Sequence, residues 1–249
     1  MWRGNGLSKY NHAREYDSPL PDRYILVSDQ CHGDLSVTMG LGDGPCFAAM
    51  LQSALQDWPD HDVLVKVHPD VRTHRKTGWL RRAALDHPRI RVIDDGCHPV
   101  RLIRGASAVY TVTSLIGFEA LMHGRAVHCF GMPFYAGWGL TRDAMPAPAR
   151  RRAAAIEDLV HAAMIEAARY VDPCGGAVWP VERAIDYARK QRARWGCEPP
   201  AFHRPLFSQH HGVMGTAAFW PAPARAQKPD PGGGGQCFYR GRYLCADPP

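Results

Sequence analysis

Polar side chains that could carry acid–base chemistry stand directly after short apolar runs of this chain. Gln30 and Asp34 follow the run Tyr24–Ser28, and His68 follows the run Asp62–Val67. In a parallel α/β sheet the loops after the strands present the reactive groups, so we take these three side chains as candidates for catalysis. A carboxylate there can act as a base, a nucleophile or an electrostatic stabiliser. The alternative is structural, because an aspartate after a glycine commonly caps the turn before a helix.

The tripeptide His68-Pro69-Asp70 is the second candidate group. Pro69 restricts the backbone beside the histidine and lacks an N–H, so we expect the imidazole in an extended geometry at the rim of a cleft. The alternative is a surface histidine where a strand meets a turn. Lys66 should point to the other face of its strand from Val67, where it could pair with a carboxylate instead of a ligand. His98-Pro99 repeats the dipeptide, but it precedes a predicted helix and is an ordinary helix start.

The third group lies around the start of the predicted helix Ser114–His123. Thr113 and Ser114 follow the apolar run Ala108–Val112, so Ser114 is a candidate N-cap at a helix end that favours phosphate. Glu119 could accept hydrogen bonds from ribose hydroxyls, or it could be a solvated or ion-paired helix residue. Gly117 should let the helix pack closely against a neighbour.

An aromatic, glycine-rich loop supplies the fourth group, Phe134, Tyr135 and Trp138. These residues show no helical or strand period, which favours an exposed, mobile wall that stacks on a sugar or a base. The alternative is an aromatic plug that packs the closing helices onto the sheet.

The elements that position these groups alternate between strand and helix. Further predicted strands are Ile90–Ile93 and Ala126–Phe130, and further predicted helices are Phe47–Trp58, Gly78–Leu85 and Val100–Gly105. Such alternation predicts an α/β, Rossmann-like parallel sheet with helices on both faces. Two more helices, Ala153–Tyr170 and Val178–Trp195, should follow, separated by a turn at Pro173–Gly176. Residues 1–22 read as a linker, residues 23–195 as the domain, and the Pro/Gly-rich residues 196–249 as a disordered tail.

Composition narrows the class of protein. The chain has 249 residues, of which 45% are hydrophobic and 22% charged, as in a globular protein with a sizeable core. The net charge of +6 favours anionic partners, but no nucleic-acid-binding signature is present, so we expect no nucleic-acid partner. Without a signal peptide or an apolar run of membrane-spanning length, we expect a cytoplasmic protein with at most peripheral contact to the inner membrane.

The cysteines and acidic residues suggest no metal. The eight cysteines form no CxxC pair, which fits reduced thiols better than a zinc site or a disulfide framework. Neither a DxD motif nor clustered His and Cys ligands are visible, so we predict no catalytic metal and no cofactor.

Five strings resemble the bacterial capsule polysaccharide biosynthesis family, and within it the KpsC-type β-Kdo transferases. They are SKYN (8–11), DQCHGDLS (29–36), VKVHPD (65–70), VYTVTSLIGFEAL (109–121) and GMPFYAGWGLTRD (131–143). The resemblance covers about residues 7 to 194 in the same order, which is far more specific than one motif.

This resemblance implies a GT-B glycosyltransferase, which has two Rossmann-like domains facing each other across a cleft. It implies that this chain is the nucleotide-sugar-binding half, without the acceptor-side domain, and that the activity transfers Kdo from CMP-Kdo to a Kdo-bearing lipid linker. We also expect two alternatives: a CMP-binding remnant without catalysis, or an interaction protein of the capsule assembly or export complex.

The resemblance also assigns roles to the candidate residues. It implies catalysis by Asp34 with Gln30, as a QxxxD motif, beside the anomeric carbon. In His68-Pro69, which is also similar to the HP motif of bacterial sialyltransferases, it implies contact with the CMP phosphate by a protonated imidazole. The remaining implied roles are donor binding by Thr113, Ser114 and Glu119, and a cleft wall of Phe134, Tyr135 and Trp138.

Overall fold

Six parallel strands form the central sheet of the computed structural model, which describes residues 1–72, 75–80, 82–173 and 175–197. The strands lie in the spatial order β3-β2-β1-β4-β5-β6. They are β1 (Tyr24–Ser28), β2 (Asp62–Lys66), β3 (Ile90–Ile93), β4 (Ala108–Thr111), β5 (Ala126–Cys129) and β6 (Arg142–Asp143). This is the order of a doubly wound Rossmann sheet, whose direction of winding reverses between β1 and β4. The predicted α/β class is therefore confirmed.

The central strands are apolar on both faces because helices cover both sides of the sheet. All five residues of β1 are buried, and they alternate between two cores. Leu26 packs into one core, while Ile25 and Val27 pack into the other. Burying one such side chain contributes about 1.5–3 kcal/mol, so this layering fixes the register of the sheet.

Among the described residues, five α-helices lie between β1 and β5 along the chain, and two more follow β6. They are α1 (Leu35–Met39), α2 (Gly44–Asp57), α3 (Pro69–Arg72), α4 (Val100–Gly105), α5 (Leu115–Met122), α6 (Ile156–Val160) and α7 (Val181–Cys197). A 3₁₀ turn spans Arg82–Leu85, and α6 continues as a π-helix over His161–Glu166. A separate two-stranded antiparallel sheet pairs β7 (Tyr170–Val171) with β8 (Val178–Trp179).

The predicted helix Gly78–Leu85 is wrong over its first half. Gly78 pairs instead with Cys31 in an isolated antiparallel bridge. The buried Asp29 carboxylate accepts hydrogen bonds from the backbone N–H groups of Trp79 and Leu80, at 3.2 and 3.3 Å. The Thr77 carbonyl accepts from the His32 N–H at 2.7 Å, and the Trp79 N–H also donates to the Gln30 carbonyl at 3.3 Å. This extended pairing with the loop after β1 keeps residues 77–79 out of a helix, and only the 3₁₀ turn forms further along.

The last two predicted helices have bounds that differ from those expected. Helix Ala153–Tyr170 spans only Ile156–Glu166, because Tyr170 pairs with Trp179 in the small sheet. Helix Val178–Trp195 begins instead at Val181, directly after Pro180, whose carbonyl accepts from the Arg183 N–H at 3.1 Å. Proline is common at the start of helices, so Pro180 could have indicated that the helix begins at Val181.

The N-terminal segment packs onto the domain although residues 1–22 read as a linker. Leu7 and Ser8 are fully buried, and the Arg14 carbonyl accepts a hydrogen bond from the His98 backbone at 2.7 Å. The predicted tail lies outside the described residues from position 198 onward, and so does Cys174 of the predicted turn Pro173–Gly176.

Across the part of the chain that the structure describes, we find no helix whose length and apolarity would let it cross a lipid bilayer.

Candidate functional site

One buried amide joins the loops that follow β1 and β4, at the point where the winding of the sheet reverses. Gln30 Oε1 accepts from the Thr113 backbone N–H at 2.9 Å, and Gln30 Nε2 donates to Thr113 Oγ1 at 2.9 Å. The same nitrogen lies 3.3 Å from Ser36 Oγ and 3.4 Å from Asp34 Oδ2. Because the amide does not titrate and its bonds fix its orientation, its geometry is that of a positioning residue.

Asp34 has the capping role that the sequence left open beside catalysis. Its side chain caps α1, with Oδ1 accepting from the Ser36 backbone at 2.9 Å. The second oxygen, Oδ2, takes only the long bond from Gln30. Gly33 has φ +80°, a backbone conformation that favours glycine, and it turns the chain so that Asp34 lies at the carboxyl end of the strands. The capping prediction is thus confirmed, and one carboxylate oxygen still has free lone pairs.

His68 follows β2, and its local geometry comes from the His-Pro dipeptide. Pro69 opens the short helix α3, and His68 Nδ1 accepts from the Asp70 backbone N–H at 3.2 Å. The same contact to the second following residue occurs at His87-Pro88 and His98-Pro99, at 3.2 and 3.4 Å. An accepting Nδ1 leaves the proton of the neutral ring on Nε2, so His68 presents a donor there.

The charge state of His68 differs from the protonated form that the resemblance implied. Burial, together with the neighbouring Lys9 charge, lowers the pKa of His68 to about 4, against the opposing effect of Asp70 and Asp34. In the free protein near neutral pH the imidazole is therefore neutral. A bound anion beside it would raise that pKa.

Ser114 caps α5, as predicted. Its hydroxyl accepts from the Ile116 backbone N–H at 3.3 Å, and its own N–H donates to Thr111 Oγ1 at 2.9 Å. In the sheet β1 lies between β2 and β4, so His68 and Ser114 flank the Asp34 loop from its two sides. Two strand spacings separate β2 from β4 by about 10 Å.

Glu119 is buried in α5 and bound by the N-terminal segment. Its carboxylate oxygens accept from Ser8 Oγ at 3.0 and 2.8 Å and from the Lys9 backbone N–H at 3.0 Å. Burial raises the pKa of Glu119 to about 7, although these hydrogen bonds and the charges of Lys9 and Lys66 oppose the rise. Glu119 is therefore neither solvated nor on the protein surface. Ser8 is more than a hundred residues away along the chain, and no periodic pattern marks the contact.

Two basic residues beside this carboxylate were not predicted as part of the site. Lys9 lies over the Tyr10 ring at 4.9 Å from its centroid. Lys66 is only 3% exposed, and its ammonium approaches Cys97 Sγ at 3.9 Å and the Tyr10 ring at 5.9 Å. Burial lowers the pKa of Lys66, and the carboxylates whose charges oppose this are Asp95 and Glu119. The segment 8–10 thus brings positive charge to the region between His68 and α5.

The predicted exposed aromatic wall is wrong for Tyr135. This residue is fully buried, and its hydroxyl donates to the Ser114 carbonyl. A Cβ at Gly117 would lie 2.8 Å from Tyr135 Cζ and 2.9 Å from Thr111 Cγ2, which confirms that glycine allows the close packing of α5. Tyr135 therefore acts as the plug that the sequence left as the alternative.

Phe134 and Trp138 are half-buried and line a cavity of about 300 Å³ between α5, the aromatic loop and α6. Its lining is mostly apolar, and Lys9 and Glu119 are the charged residues in it. Asp34, His68 and Ser114 do not line it. Lys9 lines this cavity and also interacts electrostatically with Asp34 and His68, so it connects the cavity with the polar cluster at the strand ends.

One group of potential metal ligands was missed from the sequence. Cys31, after β1, and His68 and Asp70, after β2, each place a ligating atom within 4.8 Å of the other two. All three residues follow predicted strands, which could have indicated the cluster. The sequence does not show, however, that these two strands are neighbours.

Known proteins are similar to this chain over most of its described residues. The family model for "Capsule polysaccharide biosynthesis protein" matches residues 4–171. The chain is 37% identical over 193 residues to the capsule polysaccharide modification protein LipA of Neisseria meningitidis serogroup B, and 36% identical over 186 residues to the lipopolysaccharide-processing protein LpsZ of Rhizobium meliloti. These alignments cover 73% and 72% of this chain, but 27% of LipA and 42% of LpsZ.

Two solved structures share the fold. The β Kdo 2,4 transferase of Thermosulfurimonas dismutans KpsC matches with a TM-score of 0.71 and 40% identity, over 76% of this chain and 59% of that one. The β Kdo 2,7 transferase of the same protein matches with a TM-score of 0.55 and 28% identity, over 70% of this chain and 55% of that one. This chain therefore spans less than two thirds of each relative and structure named here.

Proposed function

This chain belongs to the capsule polysaccharide biosynthesis protein family, and from that membership we propose that it is the donor-binding unit of a glycosyltransferase. The proposed reaction moves Kdo from CMP-Kdo to a Kdo-bearing lipid linker, and the proposed unit spans residues 23–195. The observation that carries the proposal is the link from Asp34 through Gln30 to Thr113 where the winding reverses. Open α/β sheets bind their ligands at this point.

The donor phosphate is proposed to lie between the loops after β2 and β4. There the Nε2 proton of His68 and the capped start of α5 at Ser114 would both face an anion. Lys9 adds a positive charge near His68, and the whole chain carries a net charge of +6. As CMP departs, negative charge grows on its phosphate, and donors already in place there would stabilise that charge.

Asp34 is proposed to act on the anomeric carbon. Its Oδ2 is held by Gln30, while Oδ1 is fixed by the cap, so the carboxylate would need little reorganisation during transfer. The geometry supports a nucleophile, a base or an oxocarbenium stabiliser equally. Gln30 is proposed to position this carboxylate, and Glu119 and Trp138 to border the space for the rest of the donor.

The test measures CMP release from CMP-Kdo in the presence of a Kdo-lipid acceptor. Asp34→Asn should abolish transfer. Asp43→Asn is the matched control, because Asp43 caps α2 through the same kind of bond, accepting from the Cys46 N–H at 3.0 Å. Asparagine caps a helix about as well as aspartate, so both variants should fold and a difference in stability cannot explain a difference in activity. Equal activity of the two variants would refute the role of Asp34.

A second candidate function is binding of CMP without transfer. It is favoured by the coverage of 59% of the KpsC chain, because the activity of the whole relative could need surfaces outside the matched part. In that case CMP would raise the melting temperature, but no Kdo would be transferred. His68→Ala should reduce this rise, whereas His87→Ala, which removes the same His-Pro contact before β3, should not.

A third possibility is that the chain docks onto a capsule assembly or export complex. Absence of any thermal shift with CMP would favour it over both nucleotide-binding functions. The cytoplasmic location and the peripheral contact with the inner membrane stay predictions.

A further inference from the structure

Three different ligand types converge between the loops after β1 and β2. Cys31 is 3% exposed, and the bridge of its backbone to Gly78 holds it in place. His68 Nδ1 and Asp70 Oδ2 are 3.9 Å apart, and one ligating atom from each of the three residues lies within 4.8 Å of the others. We propose that Cys31, His68 and Asp70 bind a thiophilic divalent cation of the Zn²⁺ class.

The donor set selects the class of cation. One sulfur, one imidazole nitrogen and one carboxylate oxygen suit zinc, whereas calcium and magnesium require mostly oxygen ligands. Zinc bonds of about 2.0–2.3 Å imply ligand separations of about 3.3–3.8 Å in a tetrahedron. His68 Nδ1 and Asp70 Oδ2 already approach that separation, and the remaining contraction of about 1 Å is within the reach of side-chain rotation. Zinc at Nδ1 would replace the hydrogen bond that this nitrogen accepts from the Asp70 N–H. Three protein ligands would leave the fourth position for water or an anion.

The charges around Cys31 favour a cation. Asp70, Asp34 and Asp29 all act on the Cys31 thiol, whereas Lys76 opposes them there and Lys9 opposes them at His68. Zinc binds cysteine as the thiolate, so binding of the cation would displace the Cys31 proton.

The metal site shares His68 with the proposed donor-phosphate site, but binding of the metal requires neither nucleotide nor acceptor. Its test therefore uses metal ions alone, without nucleotide or acceptor, and a failure of the transferase assay would leave the result unaffected.

The experiment titrates the metal-free, reduced full chain with Zn²⁺ by calorimetry and with Co²⁺ by absorption spectroscopy. We expect one tight site and a thiolate-to-cobalt charge-transfer band. Cys31→Ser should weaken Zn²⁺ binding by about tenfold or more and remove the band. Cys46→Ser is the matched control, because Cys46 is also a free cysteine but lies at the start of α2, outside the cluster. Cysteines and histidines elsewhere in the chain give a background that both variants keep.

Asp70→Asn serves as a second variant should Cys31→Ser fail to fold, as judged by circular dichroism. It leaves the thiol in place and should weaken Zn²⁺ binding while the cobalt thiolate band persists at higher metal concentration. Affinities of Cys31→Ser and Cys46→Ser that match the parent would overturn the proposal. A cobalt complex of the parent chain without a thiolate band would do the same.

Discussion

The buried carboxyl group of Glu119 should make the stability of the protein depend on pH in a direction opposite to that of most acidic residues. The folded protein keeps the Glu119 proton up to a pKa of about 7, whereas the unfolded chain releases it near 4.5. Between these two values the folded state binds more protons than the unfolded state, so this contribution to stability falls as pH rises. It is fully present below pH 4.5 and lost above pH 7.

The magnitude follows from the interval between the two pKa values. Each pH unit corresponds to about 1.4 kcal/mol, so the interval from 4.5 to about 7 amounts to about 3 kcal/mol. Glu119→Gln removes the charge at every pH. The amide oxygen can still accept from the Lys9 N–H, and Ser8 Oγ can rotate to accept from the new NH₂ group. We therefore expect the variant to fold.

The assay compares urea unfolding of parent and Glu119→Gln from pH 4.5 to pH 8. The free energy of unfolding of the variant minus that of the parent should rise by about 3 kcal/mol over this range. Asp29, with a pKa raised by burial to about 6, acts in the same direction as Glu119. The buried histidines act in the opposite direction, with pKa values lowered by burial to about 3 at His98 and about 4 at His123. These groups are present in both proteins and cancel in the difference.

Glu157→Gln is the control, because Glu157 is exposed in the first turn of α6. The free energy of unfolding of Glu157→Gln minus that of the parent should not show the rise with pH that we expect for Glu119→Gln. A difference for Glu119→Gln that stays flat from pH 4.5 to pH 8 would refute the burial of this carboxyl behind the segment 8–10.

Three further predictions concern the same region. Gln30→Met leaves the buried Thr113 N–H without its acceptor, so urea unfolding should show a loss of about 1–3 kcal/mol, and an unchanged midpoint would exclude the bridge. Gly117→Ala forces a methyl group against Tyr135 and should cost about 1–3 kcal/mol in the same assay; a neutral effect would mean that α5 packs less closely. An NMR titration should give His68 a pKa of about 4, and a value near 6.5 would contradict its burial.

The sheet could be predicted from the sequence because its strands are buried on both faces. Runs such as Tyr24–Ser28 are continuous, apolar and bounded by polar residues, so no alternative period competes with the strand assignment. The helix at Gly78–Leu85 failed for the opposite reason. There the extended pairing of residues 77–79 with the loop after β1 outweighs local helical preference, and no local pattern reports such long-range pairing.

In the candidate site, too, the positions of residues could be predicted from the sequence, but their long-range contacts could not. The positions of Asp34 and His68 could be predicted because both residues lie in loops that follow strands, where parallel sheets present their reactive groups. The partners of these residues did not follow from it. The bond of Gln30 to Thr113 spans 83 residues, and the cluster of Cys31 with His68 depends on which strands are neighbours. Such contacts become visible only when the strand order is known.

Residues of three motifs from the sequence analysis, SKYN, VYTVTSLIGFEAL and GMPFYAGWGLTRD, hold α5 in place at its start and in its middle. At its start, the Ser114 carbonyl accepts from the buried Tyr135 hydroxyl, and Gly117 allows that ring to pack beneath the first turn. Further along, Glu119 is held by the Ser8 hydroxyl. A helix fixed in this way cannot tilt without breaking buried hydrogen bonds, each worth about 1–3 kcal/mol when left unsatisfied. The aromatic loop and the N-terminal segment therefore set where the first turn of α5 stands relative to the Asp34 loop.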